Sequence, residues 1–176
     1  MKIATHNSGT GESGGGVVSF FGSPFSKCQS KTLVEQYNSG VRLFDLRVRK
    51  HKGKWVFAHG LWTSKDSIFK ALNDLDRIAS NTFVMVTYEG KAPNDFLQTV
   101  EDWFKVYHNL TLTEVASKKP IWTVLKSECR VAYLQEFKVL DGRSWHTYLP
   151  IPWLWKKIYF NKPQFNEHMF KMVDFI

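Results

Sequence analysis

The order of strand-like and helix-like segments is the feature of this sequence that most restricts its fold. An apolar, β-branched run over residues 41–48 is followed by apolar residues at helical spacing over 68–79. A second apolar run, 83–88, is again followed by an amphipathic segment after Pro93. Such alternation is typical of parallel strands joined by crossover helices, so the sequence predicts an α/β fold with parallel strands.

Shorter segments extend the pattern on the N-terminal side. Residues 2–5 read as a first strand, and residues 32–39 have capping-box form and predict a helix. Residues 55–58 read as another short strand, after which Thr63 and Asp66 mark the start of the next helix. Residues 50–54, between the predicted strands 41–48 and 55–58, read as a solvated turn.

The pattern is weaker after about residue 110. Residues 121–125 and 130–134 are candidate strands, and residues 170–176 read as a last strand that carries Asp174. The whole chain has 176 residues, which suits a single domain over residues 1–176.

Polar residues stand where the predicted strands end: His6, Asp45, Arg47, His59 and Glu89. In parallel α/β folds such positions meet at one edge of the sheet. Two histidines suit a reaction that takes a proton from one oxygen and gives a proton to another, and a guanidinium matches the geometry of a phosphate. The set therefore favours phosphodiester cleavage by an internal hydroxyl, although a single histidine at a strand end is more often structural.

The charge favours an anionic partner. The chain carries 24 Lys and Arg against 16 Asp and Glu, a formal net charge of +8. Nucleic acid, an acidic membrane surface and a phosphorylated small molecule all remain open on this ground. Cys28 and Cys129 lack metal-ligand spacing, which indicates buried free thiols.

Membrane insertion is not indicated by the sequence. No apolar run approaches the roughly 20 residues that span a bilayer, and the N-terminus lacks the layout of a signal peptide. The expected protein is soluble, with any membrane contact peripheral, and its compartment stays open, secretion included.

Three ordered motifs resemble one enzyme family. Residues 4–10 (ATHNSGT) look like the opening motif of the catalytic X region of phosphatidylinositol-specific phospholipases C. Residues 37–47 are similar to the helix end and second strand of that family, and residues 57–60 match its histidine-glycine motif. Residues 172–176 resemble its final strand. The closest resemblance is to the small, metal-independent bacterial type.

The resemblance implies a role for each matched residue. His6 would be the general base that deprotonates the inositol 2-hydroxyl, and His59 the general acid that protonates the diacylglycerol oxygen. Arg47 would hold the phosphate and Asp45 would position Arg47. Asp174 would orient His6. Because the attacking oxygen belongs to the inositol itself, the product would be a cyclic inositol phosphate.

The implied fold is a TIM-like (β/α) barrel. A full barrel of this kind needs about 250 residues. A chain of 176 residues leaves room for six or seven strands with missing helices, so a reduced or distorted barrel is expected.

The resemblance leaves two possibilities for metal dependence, one from each branch of the family. The bacterial branch usually has aspartate where this chain has Asn7, whereas the calcium-dependent branch has asparagine there. Asn7, Asp45 and Glu89 would then form an oxygen set for calcium. Arg47 argues against that ion because its positive charge would repel it. The sequence favours no cofactor, with Glu89 pairing with Arg47 at the edge of the substrate site.

The expected partner is a phosphoinositide or a related anionic lipid. Trp145 and Tyr148 would line the headgroup pocket, although aromatic core packing is the more common role for such residues. The aromatic residues of segments 20–25 and 153–157 could lie at a membrane surface or in the core.

Two other classes of function stay open. An RNA phosphodiesterase would use the same 2-hydroxyl attack, yet the sequence has no known RNA-binding motif, so nucleic acid is not favoured. A binder of phosphate headgroups without catalysis is the other alternative.

Overall fold

The computed structural model describes residues 2–16, 26–116, 131–134, 137–141 and 169–173. These ranges contain a 3₁₀ turn over Ser8–Gly11 and three α-helices: α1 (Leu33–Asn38), α2 (Ile68–Asp76) and α3 (Phe96–Phe104). The strands are β1 (Lys2–Thr5), β2 (Val41–His51), β3 (Lys54–His59), β4 (Trp62–Thr63), β5 (Thr82–Tyr88), β6 (Leu110–Ala116), β7 (Val131–Leu134), β8 (Phe137–Asp141) and β9 (Met169–Val173).

The strands form a mixed sheet that is mostly parallel. Strands β6, β5, β2, β1, β9 and β8 lie side by side in this order, and each neighbouring pair is parallel. Strand β7 is added antiparallel to β8. Among the described strands, no pairing joins β6 to β7, so the described part of the sheet is not closed into a barrel. The α/β class and the parallel strands predicted from the sequence are confirmed.

Strand β3 departs from the predicted parallel order. It is antiparallel to β2 and follows it through a hairpin whose turn lies within residues 50–54, where the sequence indicated a turn. The two turn residues are Lys52, with φ 49°, and Gly53, with φ 78°. Positive φ at both central positions gives the turn that matches the twist of a hairpin, so the reversal is made locally. The hairpin brings β3, which ends at His59, back alongside β2.

Helices α1 and α2 each begin after a residue whose side chain caps the helix. Helix α1 has the predicted capping box: Thr32 accepts from the backbone N–H of Glu35, and the Glu35 carboxylate accepts from the N–H of Thr32. Helix α2 begins later than predicted, with Ser67 as its N-cap. The reason is that Thr63 already pairs with Ala58 in the β3–β4 hairpin, so it cannot cap a helix.

The two faces of the sheet carry different residues. On the face we call the helix face, Phe44, Leu46, Val84 and Val86 pack with buried residues of all three described helices. The opposite face, the site face, has a smaller buried apolar cluster: Ala4, Leu43, Met85, Phe170 and Met172. Because side chains alternate along a strand, Asp45 and Arg47 lie on the site face next to this cluster.

Two further sequence predictions concern the cysteines and membrane crossing. Cys28 is a buried free cysteine, as predicted, while Cys129 lies outside the described ranges. None of the helices in the described residues is both long and apolar enough to cross a bilayer. The aromatic segments 20–25 and 153–157 are not among the described residues.

Candidate functional site

The first site residues lie on the tight turn that follows β1. Asn7 adopts left-handed backbone angles, φ 47° and ψ 47°, which asparagine tolerates better than most residues. The turn continues into Ser8–Gly11 and packs closely on its surroundings. A Cβ atom at Gly9 would overlap the ring of Phe57, and one at Gly11 would overlap the carbonyl of Lys31. Glycine at position 9 lets the turn lie against β3, and glycine at position 11 lets it approach the backbone of Lys31.

Strand β2 supplies the next two residues. Asp45 is fully buried, and one carboxylate oxygen, Oδ2, accepts from the backbone N–H of Asn7 at 3.2 Å. The same oxygen lies 3.7 Å from Nε of Arg47. Glu89, which follows β5, lies with Oε2 3.9 Å from Nη1 of Arg47. The guanidinium is therefore held between two carboxylates, and the predicted pairing of Glu89 with Arg47 is confirmed.

Arg47 also contacts the first histidine. Its Nη2 lies 3.1 Å from Nε2 of His6, and the His6 side chain is buried. A guanidinium has only donors, so Nε2 of His6 must be the acceptor. The imidazole is then neutral with its hydrogen on Nδ1. His6 thus presents an unprotonated nitrogen toward Arg47.

His59 donates a hydrogen bond from its ring, whereas His6 accepts one from Arg47. Its Nδ1 lies 2.7 Å from the carbonyl oxygen of Ser26, which only accepts, so Nδ1 carries the hydrogen. The amide nitrogen of Asn7 lies 3.3 Å from the same Nδ1. Nε2 is consequently the nitrogen available for proton exchange. Burial, and secondarily the charge of Arg47, lower the pKa of His59 below its usual value of 6.5.

The two histidines face each other across the site. Their ring centroids are 6.2 Å apart, with the planes inclined at 78°. Glu89 completes the connection, because its Oε1 accepts from the backbone N–H of Gly60, directly after His59. The structure therefore brings together the five residues that the sequence placed at strand ends, and Asn7 with them. A neutral base, a second imidazole and a guanidinium meet in one place.

The residues of the calcium alternative lie next to a fixed positive charge. The oxygen ligands would be Asn7, Asp45 and Glu89, and the guanidinium of Arg47 lies within 4 Å of both carboxylates. A fixed positive charge in that position repels a divalent cation. Within the described ranges, no group of three His, Cys, Asp or Glu side chains is arranged to hold a metal.

Three predicted site residues lie outside the described ranges. They are Asp174, which was expected to orient His6, and the two proposed headgroup contacts Trp145 and Tyr148. Their roles stay predictions.

Sequence reasoning missed residues that support the site from outside the motifs. Ser26 contacts His59 through its backbone carbonyl, and Cys28 accepts from the Asn7 amide at 3.4 Å. Gln29 donates from Nε2 to the carbonyl of His6 at 3.1 Å. Two of these three contacts use a backbone carbonyl, whose partner cannot be read from side-chain identity.

Glu114 was also missed, although a signal for it existed. The register places it beside Met85, and Met85 beside Asp45, so Glu114 lies on the site face in the same row of the sheet. A bulge between Val84 and Met85 sets this register. A carboxylate inside a strand with apolar neighbours is unusual, and this feature would have identified Glu114 as a candidate.

No protein family matches the chain, and a comparison with curated proteins gives no match either. Two imidazoles with separate hydrogen-bond partners can act as an acid and a base, while Arg47 can bind an oxyanion.

Proposed function

We propose that this chain is a phosphodiesterase that cleaves phosphatidylinositol-type phosphodiesters, with His6 and His59 as its acid–base pair. The observation that carries the proposal is the placement of two imidazoles 6.2 Å apart, with Arg47 3.1 Å from His6. Cleavage by a neighbouring hydroxyl forms a new bond from that oxygen to phosphorus and breaks the bond to the leaving alcohol. One proton must be taken and another given, which requires two groups.

His6 is the base in this proposal. Its Nε2 carries a lone pair, because it accepts from Arg47 in the free protein. When a phosphate takes the donors of Arg47, Nε2 is released to accept the proton of the 2-hydroxyl. The attacking oxygen then closes a cyclic inositol phosphate.

Arg47 neutralises the charge that grows on the non-bridging oxygens. Its planar fork of donors matches two phosphate oxygens, and a fixed donor costs no reorganisation during the reaction. Asp45 and Glu89 hold the guanidinium from two sides. Asp45 is itself held by the N–H of Asn7, so the phosphate contact is supported by buried structure.

His59 is the acid that protonates the departing diacylglycerol oxygen through Nε2. Its lowered pKa favours the neutral ring in the free protein. A bound phosphate anion has the opposite effect, since a nearby negative charge favours the imidazolium. Substrate binding therefore charges the acid. Asn7 is a weaker support for that charge than a carboxylate would be, because an amide is neutral.

The fold proposed with this function is a reduced TIM-like barrel. Its support is the strand order: β1 lies between β2 and β9, so the last described strand pairs with the first, and the parallel strands β1, β2, β5 and β6 follow one another. The packing of all three described helices on one face agrees with this arrangement.

The proposed substrate is an anionic lipid that the protein meets at a membrane surface. The net charge of +8 supports attraction to such a surface. Arg47 supports a mechanism without a metal ion, because a guanidinium already lies where a cation would bind the phosphate.

The test is phosphorus NMR of phosphatidylinositol vesicles incubated with the protein, in chelator and separately in calcium. A cyclic inositol phosphate signal in chelator is the expected result. Signal only with calcium would overturn the metal-free mechanism. Binding to the vesicles without any product would favour a headgroup-binding module, and cleavage of an RNA dinucleotide instead would favour a ribonuclease.

A further inference from the structure

Thr10 uses every hydrogen-bonding position of its hydroxyl. Its Oγ1 donates to the carbonyl of Asn7 at 2.7 Å. It also accepts from the backbone N–H groups of Cys28 at 3.0 Å and Gln29 at 3.1 Å. The side chain is buried. One hydroxyl therefore joins the turn that carries His6 to the segment of residues 26–29, which we call the support segment.

The support segment contacts each of three site residues. The Ser26 carbonyl accepts from Nδ1 of His59, and Gln29 donates to the carbonyl of His6. Between them, the thiol sulfur of Cys28 accepts from the side chain of Asn7. His6 lies on the turn after β1 and His59 ends β3, so this segment is a physical connection between them.

The position of the support segment depends on its hydrogen bonds. Residues 27–29 belong to neither a helix nor a strand, so no regular ladder holds their backbone. The N–H groups of Cys28 and Gln29 both end on the Thr10 hydroxyl. Removing that oxygen would leave two buried donors without this partner, and the segment would shift to find others.

We propose that Thr10 is a positioning residue that sets the location and the tautomer of His59 relative to His6. The role rests on the proposed function, since it matters for catalysis only if these histidines are the acid and base. Its physical basis is independent of activity. Among the described residues, the Ser26 carbonyl is the acceptor that holds the hydrogen of His59 on Nδ1, so a shift of the support segment would release the ring to its other tautomer.

The experiment compares Thr10→Val, which keeps the shape but lacks the hydroxyl, with Thr10→Ser, which keeps the hydroxyl. The first measurement is nitrogen-15 NMR of the His59 ring in the free protein. Wild type and Thr10→Ser should show hydrogen on Nδ1, whereas Thr10→Val should show a mixture of tautomers. A folded Thr10→Val protein with an unchanged His59 ring would overturn the proposal.

The second measurement is turnover of phosphatidylinositol vesicles. Thr10→Val should lower kcat roughly 10- to 100-fold with KM nearly unchanged, because misplacement of a catalytic group affects the chemical step, and Thr10→Ser should restore it. Equal rates for the two variants would contradict the role. If wild type shows no turnover, the proposed function fails while the NMR result still decides the role of Thr10.

Folding of the valine variant is checked by circular dichroism before either measurement. Should Thr10→Val not fold, Thr10→Ala is measured in its place, since it removes the hydroxyl without adding bulk. The same outcomes then apply.

Discussion

The helix face and the site face of the sheet are built from the same strands but stabilised differently. On the helix face, Phe44, Leu46 and their neighbours are nearly or fully buried against helices α1, α2 and α3. On the site face, five buried apolar residues lie beneath a layer of charged and polar groups. Successive side chains of β2 therefore alternate between a packed core and an ion-pair network.

The difference indicates that the helix face mainly stabilises the fold, whereas the site face mainly positions polar groups. Apolar burial contributes most of the folding free energy, and the helix face has the larger share of it. The site face instead holds a fully buried Asp45 next to Arg47 and keeps His59 desolvated. Such groups contribute little or unfavourably to stability but fix the directions of donors and acceptors. Changes on one face should affect stability, and changes on the other should affect turnover.

The largest expected effect comes from His59→Ala on the site face. Loss of a general acid should reduce turnover of phosphatidylinositol about 10²- to 10⁴-fold, with a small change in stability. The measurement is the initial rate on vesicles. His51→Ala is the control, because His51 is exposed at the β2–β3 turn and should leave the rate unchanged. Equal rates for both variants would show that His59 has no catalytic role.

The next effect is on the helix face, where Leu72→Ala removes a buried side chain of α2. The cavity and the lost apolar burial should lower the free energy of unfolding by about 2–5 kcal/mol, measured by urea denaturation. Leu97→Ala is the control, since Leu97 is 55% exposed. Turnover per folded molecule should not change. A parallel loss of turnover in folded Leu72→Ala would contradict the division between the faces.

The smallest expected effect is a pH dependence of stability contributed by His59. Burial and Arg47 lower its pKa in the folded state below 6.5, so the unfolded chain binds more protons as the solution is acidified. Stability from this group is present above pH 6.5 and is lost as pH falls toward the folded-state pKa.

The measurement compares the free energy of unfolding at about pH 7.5 and about pH 5.5, on either side of the ordinary histidine pKa. Wild type should lose more stability on acidification than His59→Gln does. His51→Gln, at the exposed turn, should behave as wild type. An identical loss in all three proteins would mean that His59 titrates normally.

Much of the fold was predictable because its signals are local. The capping box at Thr32 predicted helix α1, and continuous apolar runs predicted β2 and β5. The turn within residues 50–54 was expected, but the antiparallel pairing of β2 with β3 was not. The start of α2 was wrong because strand pairing took Thr63 away from the helix.

The candidate site was predictable only where its residues lie in motifs at strand ends. His6, Arg47 and His59 come together as expected, since those strand ends meet on one side of the sheet. The support segment was not predictable, because it acts largely through backbone groups. Thr10 was part of a motif, yet its role appears only when its partners at residues 28 and 29 are known.

The sequence by itself determined which residues could lie on the site face and which ring and guanidinium groups were available there, because alternation along a strand is a property of the local backbone. Only the tertiary structure decided the protonation pattern. The nitrogen that carries hydrogen in His6 depends on Arg47, and in His59 it depends on Ser26. Hydrogen-bond partners and desolvation come from residues far apart in the chain, so they exist only once the chain has folded.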